Sequence, residues 1–104
     1  MAEAEKDGTL LIELKNYLDI TWDDGEGDKK IMGMAKRGMN AISGKIGECD
    51  FYGETQEKAL LFDYVMYARA GEIPQFWTNY KAEIISLQIS RKVDGYAETE
   101  EQTI

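Results

Sequence analysis

The sequence has no histidine, one cysteine and one proline among its 104 residues. Without histidine, the usual general base and the commonest neutral metal ligand are both missing. Cys49 alone cannot form an intramolecular disulfide, which agrees with a reducing compartment. Nucleophile-elbow, P-loop, dinucleotide-binding and C-x-x-C motifs are also missing. The sequence therefore predicts a protein that is not an enzyme and that uses no cofactor or metal.

Long apolar runs and an excess of basic residues are missing as well. No stretch approaches the roughly 18–20 apolar residues of a membrane-spanning helix, and the acidic start has no apolar signal-peptide core. We expect a cytosolic protein without membrane contact. The net charge of −8, from 20 acidic and 12 basic residues, argues against independent nucleic-acid binding, sequence-specific binding included, because neutralising phosphates needs clustered Lys and Arg. An acidic channel wall could still let DNA slide past, because it repels phosphates.

Apolar periodicity predicts an all-α fold, a compact bundle of about four helices. The predicted helices span residues 9–19, 29–46, 56–70 and 75–92. Asp28 and Thr55 are expected to cap the second and third helices, while Gly71 and Pro74 separate the third from the fourth. The third helix is apolar on every side, so we expect it to be the central, most buried element.

Three regions are expected along the chain. Residues 9–94 form the helical domain, residues 1–8 a flexible N-terminal extension, and residues 95–104 a flexible acidic tail without periodicity. Within the second helix, Gly33, Gly38 and Gly44 each weaken helix formation by up to about 1 kcal/mol relative to alanine. Packing must compensate for that loss.

Charged side chains offer few specific sites. The acidic stretch of residues 19–28 fails as an EF-hand, because Asp24 replaces the required glycine and Lys30 the bidentate glutamate. We interpret it as a solvated turn. Asp63, in the apolar third helix, needs a hydrogen-bonding partner. The second helix carries a basic arc of Lys29, Lys30, Lys36 and Arg37. This arc either is a solvated helix face or faces a partner protein or the DNA channel.

The fourth predicted helix has two apolar faces. One contains Phe76, Trp77, Tyr80, Ile84 and Leu87. Ile85, Ile89 and Val93 follow one another at i, i+4 and i+8 and lie roughly opposite that face. A helix with two apolar faces either sits between two partners or exposes a hydrophobic strip. We expect the strip to form a subunit contact; the alternative is that the first helix or the tail covers it.

Two stretches resemble the head–tail connector (adaptor) proteins of tailed bacteriophages. Residues 14–24, LKNYLDITWDD, with Asp28-Lys29-Lys30 and a helix after them, look like the opening of these proteins. Residues 59–69, ALLFDYVMYAR, resemble their central helix. The similarity covers about residues 10–92 in the same order, and its motifs are structural rather than catalytic. The acidic residues before Thr9 and the glycine-rich turn and second helix depart from the family pattern.

The resemblance implies a helical protein whose copies form a ring beneath the portal of a DNA-filled capsid. Such a ring extends the DNA channel and provides the docking surface for stopper or tail-completion proteins. The implied partners are the portal, the stopper or tail protein, and further copies of the chain. The implied location is the virion, and the host cytoplasm during assembly. Tyr96 and Ile104 would then anchor the tail on the portal.

Two other classes remain open. A small acidic helical protein could bind and regulate a single host or phage protein, using its charge as a DNA mimic. It would stay monomeric and compete with DNA for a basic partner. The chain could also be a helical subunit of an unrelated complex, which the sequence does not separate from an adaptor.

Overall fold

The computed structural model describes the backbone of residues 2–103 and the side-chain surroundings of residues 5–92. Five helices follow one another: α1 Ala2–Tyr17, α2 Gly25–Ile46, α3 Gln56–Arg69, α4 Ile73–Asn79 and α5 Lys81–Thr103. No strand occurs in residues 2–103. The all-α prediction is confirmed, but the helices number five within that range, because the predicted fourth helix is divided in two.

Helix α1 is longer than the sequence predicted. It begins at Ala2, where we expected a flexible extension over residues 1–8. Alanine, glutamate and lysine in this stretch are strong helix formers. Asp7 also ties the start of α1 to the bundle: its carboxylate accepts hydrogen bonds from Lys36 Nζ at 2.9 Å and from the Tyr52 hydroxyl at 2.8 Å.

Helix α2 begins one turn earlier than predicted, because its N-cap is Asp24 and not Asp28. The Asp24 carboxylate accepts a hydrogen bond from the Glu26 backbone amide at 3.2 Å. Glu26 and Asp28 lie in the first turn, where acidic groups complement the helix dipole. The Asp28 side chain pairs with the Lys15 ammonium at 3.0 Å. The predicted turn at Gly25 is therefore the first turn of the helix.

Helix α3 begins as predicted, with Thr55 Oγ1 accepting a hydrogen bond from the Lys58 backbone amide at 3.1 Å. Gly71, at φ 72°, follows its C-terminus in the left-handed region that glycine tolerates best. Helix α3 has six buried residues among its 14, but it is not enclosed on every side, since Ala59 and Met66 are exposed. Helix α2 joins the bundle, because it packs against α1, α3 and α5. Helix α3 packs against α2 and α4.

The predicted fourth helix breaks at Tyr80, whose backbone leaves helical geometry at φ −106°, ψ 12°. The break lets α4 pack against α3 while α5 packs against α2. Phe76 is fully buried, and its ring stacks on the Tyr80 ring at a centroid distance of 4.9 Å. Pro74 lies in the first turn of α4, as expected.

Helix α5 continues to Thr103, through residues where the sequence predicted a tail without periodicity. Ala97, Glu98, Glu100, Glu101 and Gln102 are strong helix formers in this stretch, although Gly95 is a weak one. The side chains of Val93, Tyr96 and Ile104 lie outside the described residues. The mobility of the tail and its docking role therefore stay predictions.

A single core draws on every helix. Burying each large aliphatic or aromatic side chain contributes about 1.5–3 kcal/mol. The buried apolar residues are Leu10, Leu14, Ile20, Ile31, Ala35, Ile42, Ile46, Phe51, Leu60, Leu61, Tyr64, Val65, Phe76 and Ile84.

Helices α2 and α3 approach closely at Gly38. A Cβ atom at this position would lie 2.7 Å from Tyr64 Cδ1 and 2.8 Å from Leu61 Cδ1. At Gly44, by contrast, a Cβ would meet nothing within 4 Å. Of these glycines, Gly38 is the one whose missing side chain the packing requires.

Candidate interaction surfaces

Two of the three residues predicted to form an apolar strip on the last helix, Ile85 and Ile89, are exposed. Ile85 is 42% and Ile89 56% exposed, whereas Ile84, about 100° round the helix from Ile85, is buried at 6%. Both isoleucines thus keep a large part of their surface open to solvent. Lys81 and Lys92 lie on the same helix face, at positions i−4 and i+7 from Ile85. We call Lys81, Ile85, Ile89 and Lys92 the α5 strip.

Basic groups border the α5 strip. A groove beside Ile85 is lined by Lys45 and Trp77, and Lys45 Nζ lies 5.4 Å from the centre of the Trp77 ring. Gln88 Nε2 donates a hydrogen bond to the Lys45 carbonyl at 2.8 Å, which holds α5 on the end of α2. Arg91 adds less positive charge to this region than the lysines do, because its guanidinium pairs with the Glu57 carboxylate at 3.2 Å. The α5 strip therefore has two exposed isoleucines at its centre and lysines around them.

A second exposed apolar surface, which the sequence did not reveal, lies where α1 meets α3. Met66 is 41% and Tyr17 47% exposed. Ala59, Phe62 and Met66 are spaced at i, i+3 and i+7, so they share one face of α3. The Tyr17 ring packs on Phe62 with their centroids 5.5 Å apart. We call Tyr17, Ala59, Phe62 and Met66 the α1–α3 patch.

Acidic groups border the α1–α3 patch. Glu13, Glu54 and Asp63 line the groove beside Tyr17 and Phe62. Lys58, which is buried, donates hydrogen bonds to Glu13 and, at 3.2 Å, to Glu54. Within this groove one lysine stands against three carboxylates, so this side of the patch has a net negative charge.

Tyrosine supplies the partner that Asp63 was expected to need. The Tyr17 hydroxyl donates a hydrogen bond to the Asp63 carboxylate. That hydrogen bond, more than burial, raises the pKa of Tyr17 to about 12. At Tyr80, burial is the larger cause of a raised pKa and Asp63 the second. Asp63 therefore links α1 to α3 next to the break between α4 and α5.

The acidic stretch after α1 is held by a lysine. Lys15 is buried, and its ammonium pairs with Asp23 at 3.2 Å and with Asp28 at 3.0 Å. The hydrogen bond to Asp28 is the main reason why the pKa of Lys15 is raised. Among the residues whose side chains are described, no group of three or more Cys, Asp or Glu residues is placed to hold a metal ion.

The basic arc on α2 is not one surface. Lys36 forms a hydrogen-bonded salt bridge with Asp7, with Nζ 2.9 Å from Oδ2. The hydrogen bond to Asp7 is the largest cause that raises the pKa of Lys36. Lys29, Lys30 and Arg37 are exposed and form no salt bridge within the described part of the chain. A partner could reach these three, whereas Lys36 helps to fix α1 on α2.

Cys49 has the surroundings of an unreactive thiol. Its Sγ donates a hydrogen bond to the Gly47 carbonyl at 3.2 Å. Burial is the largest cause that raises the pKa of the Cys49 thiol. A raised pKa keeps the thiol protonated, and the thiolate is the nucleophilic form.

Comparison with known proteins adds no assignment. No protein-family model, curated protein or solved structure matches the chain. Over the described residues, the helices lack the combination of length and apolar character that would let one cross a membrane. The α5 strip and the α1–α3 patch are exposed apolar surfaces of the kind that contacts other proteins.

Proposed function

We propose that the chain is a head–tail adaptor of a tailed bacteriophage, a structural protein and not an enzyme. Its copies form a ring beneath the portal, extend the DNA channel and provide the docking surface for stopper or tail proteins. It acts in the virion, after assembly in the host cytoplasm. The observation that carries the proposal is the exposed pair Ile85 and Ile89 on α5. Neighbouring exposed isoleucines at i and i+4 are typical of a protein contact.

The resemblance of residues 14–24 and 59–69 to the adaptor family supports the same function. So does the charge, because a net charge of −8 gives a surface that repels DNA phosphates instead of gripping them. Lys29, Lys30 and Arg37 are exposed on α2 and are suited to an acidic patch of a neighbouring virion protein. An adaptor of this kind uses no bound cofactor.

Binding to portal rings tests the proposal. The portal protein encoded nearest to the gene of this chain is purified as a ring, immobilised, and incubated with wild type, Ile89→Asp or Ser90→Asp. Ser90 is exposed and lies about 100° round the helix from Ile89, so Ser90→Asp carries the same new charge off the strip. The free protein need not form rings, since the portal can act as the template.

The wild type and Ser90→Asp are expected to bind in multiple copies per portal ring. Ile89→Asp should bind in fewer copies, because a carboxylate replaces an apolar contact between neighbours. Failure of the wild type to bind any portal ring would contradict the adaptor function. Ring formation by Ile89→Asp at the wild-type level would contradict the role of the strip.

A further inference from the structure

Two of the exposed apolar areas on the described surface have rims of opposite charge. The α5 strip has Lys81 and Lys92 beside its isoleucines, and Lys45 borders the same groove. The α1–α3 patch has a rim of three carboxylates against one buried lysine. The two areas share no residue. An interface between them would bury apolar groups at its centre and leave charges of opposite sign around the edge.

We propose that the α5 strip of one copy docks on the α1–α3 patch of the next copy. The contact is therefore head-to-tail, and it rests on the ring of the proposed function. A strip that paired with itself would bring lysines of both copies together, and a patch that paired with itself would bring carboxylates together. Both like-charge arrangements are disfavoured. A head-to-tail contact leaves one free strip and one free patch on every pair, which is the condition for building a ring.

Met66 is the residue through which the patch can be tested. It lies 41% exposed on α3, three residues after Asp63 and in the C-terminal half of the helix. Met66→Lys keeps a strong helix former there and places a cation where the helix dipole favours it. The same change sets a lysine against the lysines of the incoming strip. Ile89→Asp removes the other half of the contact.

The decisive experiment mixes the two variants. Ile89→Asp has an intact patch and a defective strip, and Met66→Lys has an intact strip and a defective patch. Neither variant can self-associate through a head-to-tail contact. Together they retain one good interface, so an equimolar mixture should form a one-to-one pair that does not grow further. Ser90→Asp in place of Ile89→Asp is the matched control and should self-associate like the wild type.

Nuclear magnetic resonance titration at about 1 mM protein detects even millimolar association. Circular dichroism melting first confirms that both variants fold. The mixture should bind at least about tenfold more tightly than either variant binds itself, as expected for the loss of a central contact residue. Shifts should appear at Ile85 in one labelled partner and at Phe62 in the other. Raising the salt concentration should weaken the pair through screening of its rim charges.

Three results would overturn the proposal. One is self-association of Met66→Lys at the wild-type level, because it would show strip pairing with strip. The second is a mixture that binds no more tightly than the single variants, and the third is a wild type without shifts at either surface. Portal binding is a separate readout. A pair that forms while portal rings stay unbound supports the contact and contradicts the adaptor function. Portal binding without formation of the pair supports the adaptor function and contradicts the contact.

Discussion

Gly38→Ala is predicted to destabilise the protein although alanine is the better helix former. The substitution gains about 1 kcal/mol of helix propensity. Its Cβ would stand 2.7 Å from Tyr64 Cδ1 and 2.8 Å from Leu61 Cδ1. Leu61 is 0% and Tyr64 6% exposed, so neither side chain can swing into solvent. Overpacking of this kind costs about 1–3 kcal/mol, and two simultaneous contacts place Gly38→Ala in the upper half of that range.

The expected net loss is about 1–2 kcal/mol, and each kcal/mol lowers the melting temperature by about 4–8 °C in a domain of this size. Gly44→Ala is the control, because Gly44 lies on the same helix with open space at its Cβ. It should gain up to about 1 kcal/mol. Thermal and urea unfolding followed by circular dichroism measure both variants. Equal stabilisation by the two substitutions would refute the close approach of α2 and α3.

Three further predictions concern the tyrosine–aspartate link, the acidic loop and the tail. The pKa of Tyr17 is raised to about 12 from its ordinary 10.0, chiefly by the hydrogen bond to Asp63. This interaction therefore stabilises the folded protein below pH 10, and the stabilisation is lost as the pH rises through 12. Asp63→Asn should move the phenol titration back towards its ordinary pH, read by phenolate absorbance; an unchanged titration would exclude the link. Lys15→Met should speed amide hydrogen exchange in residues 19–28, because two carboxylates lose their partner; unchanged exchange would contradict this role. Deleting residues 95–104 should leave the melting temperature nearly unchanged but weaken capture on portal rings, and equal capture would end the docking hypothesis.

Local signals in the sequence were enough to predict much of the helical fold. The cap at Thr55 and the stop at Gly71 depend on neighbouring residues along the chain, and α3 begins and ends there. The exposed positions of Ile85 and Ile89 followed from helical spacing together with the scarcity of chain left to cover a second apolar face. Such features need no knowledge of distant contacts.

The features that the sequence did not reveal depend on contacts between distant residues. Asp24 and Asp28 are both good N-caps by residue type; Asp24 caps α2, and Asp28 pairs instead with Lys15 on another helix. The break at Tyr80 has no proline or glycine to mark it; it arises where packing turns from α3 to α2. Asp7 draws residues near the N-terminus into α1 by reaching Lys36, 29 positions further along the chain.

The α1–α3 patch was missed for the same reason. A helix that is apolar on every side predicts burial on every side, and the sequence does not show which side of α3 lacks a neighbour. Met66 and Phe62 are left at the surface because α2 and α4 pack elsewhere on α3. The acidic rim then depends on Glu13, which is brought there by α1.

Electron microscopy of the cognate portal, with and without the purified chain, tests the adaptor function most directly. We expect an additional helical ring beneath the portal, with neighbouring subunits in contact through Ile85 and Ile89. This ring should be lost with Ile89→Asp and kept with Ser90→Asp. A portal whose images stay unchanged at saturating concentrations of the wild-type chain would contradict the adaptor function.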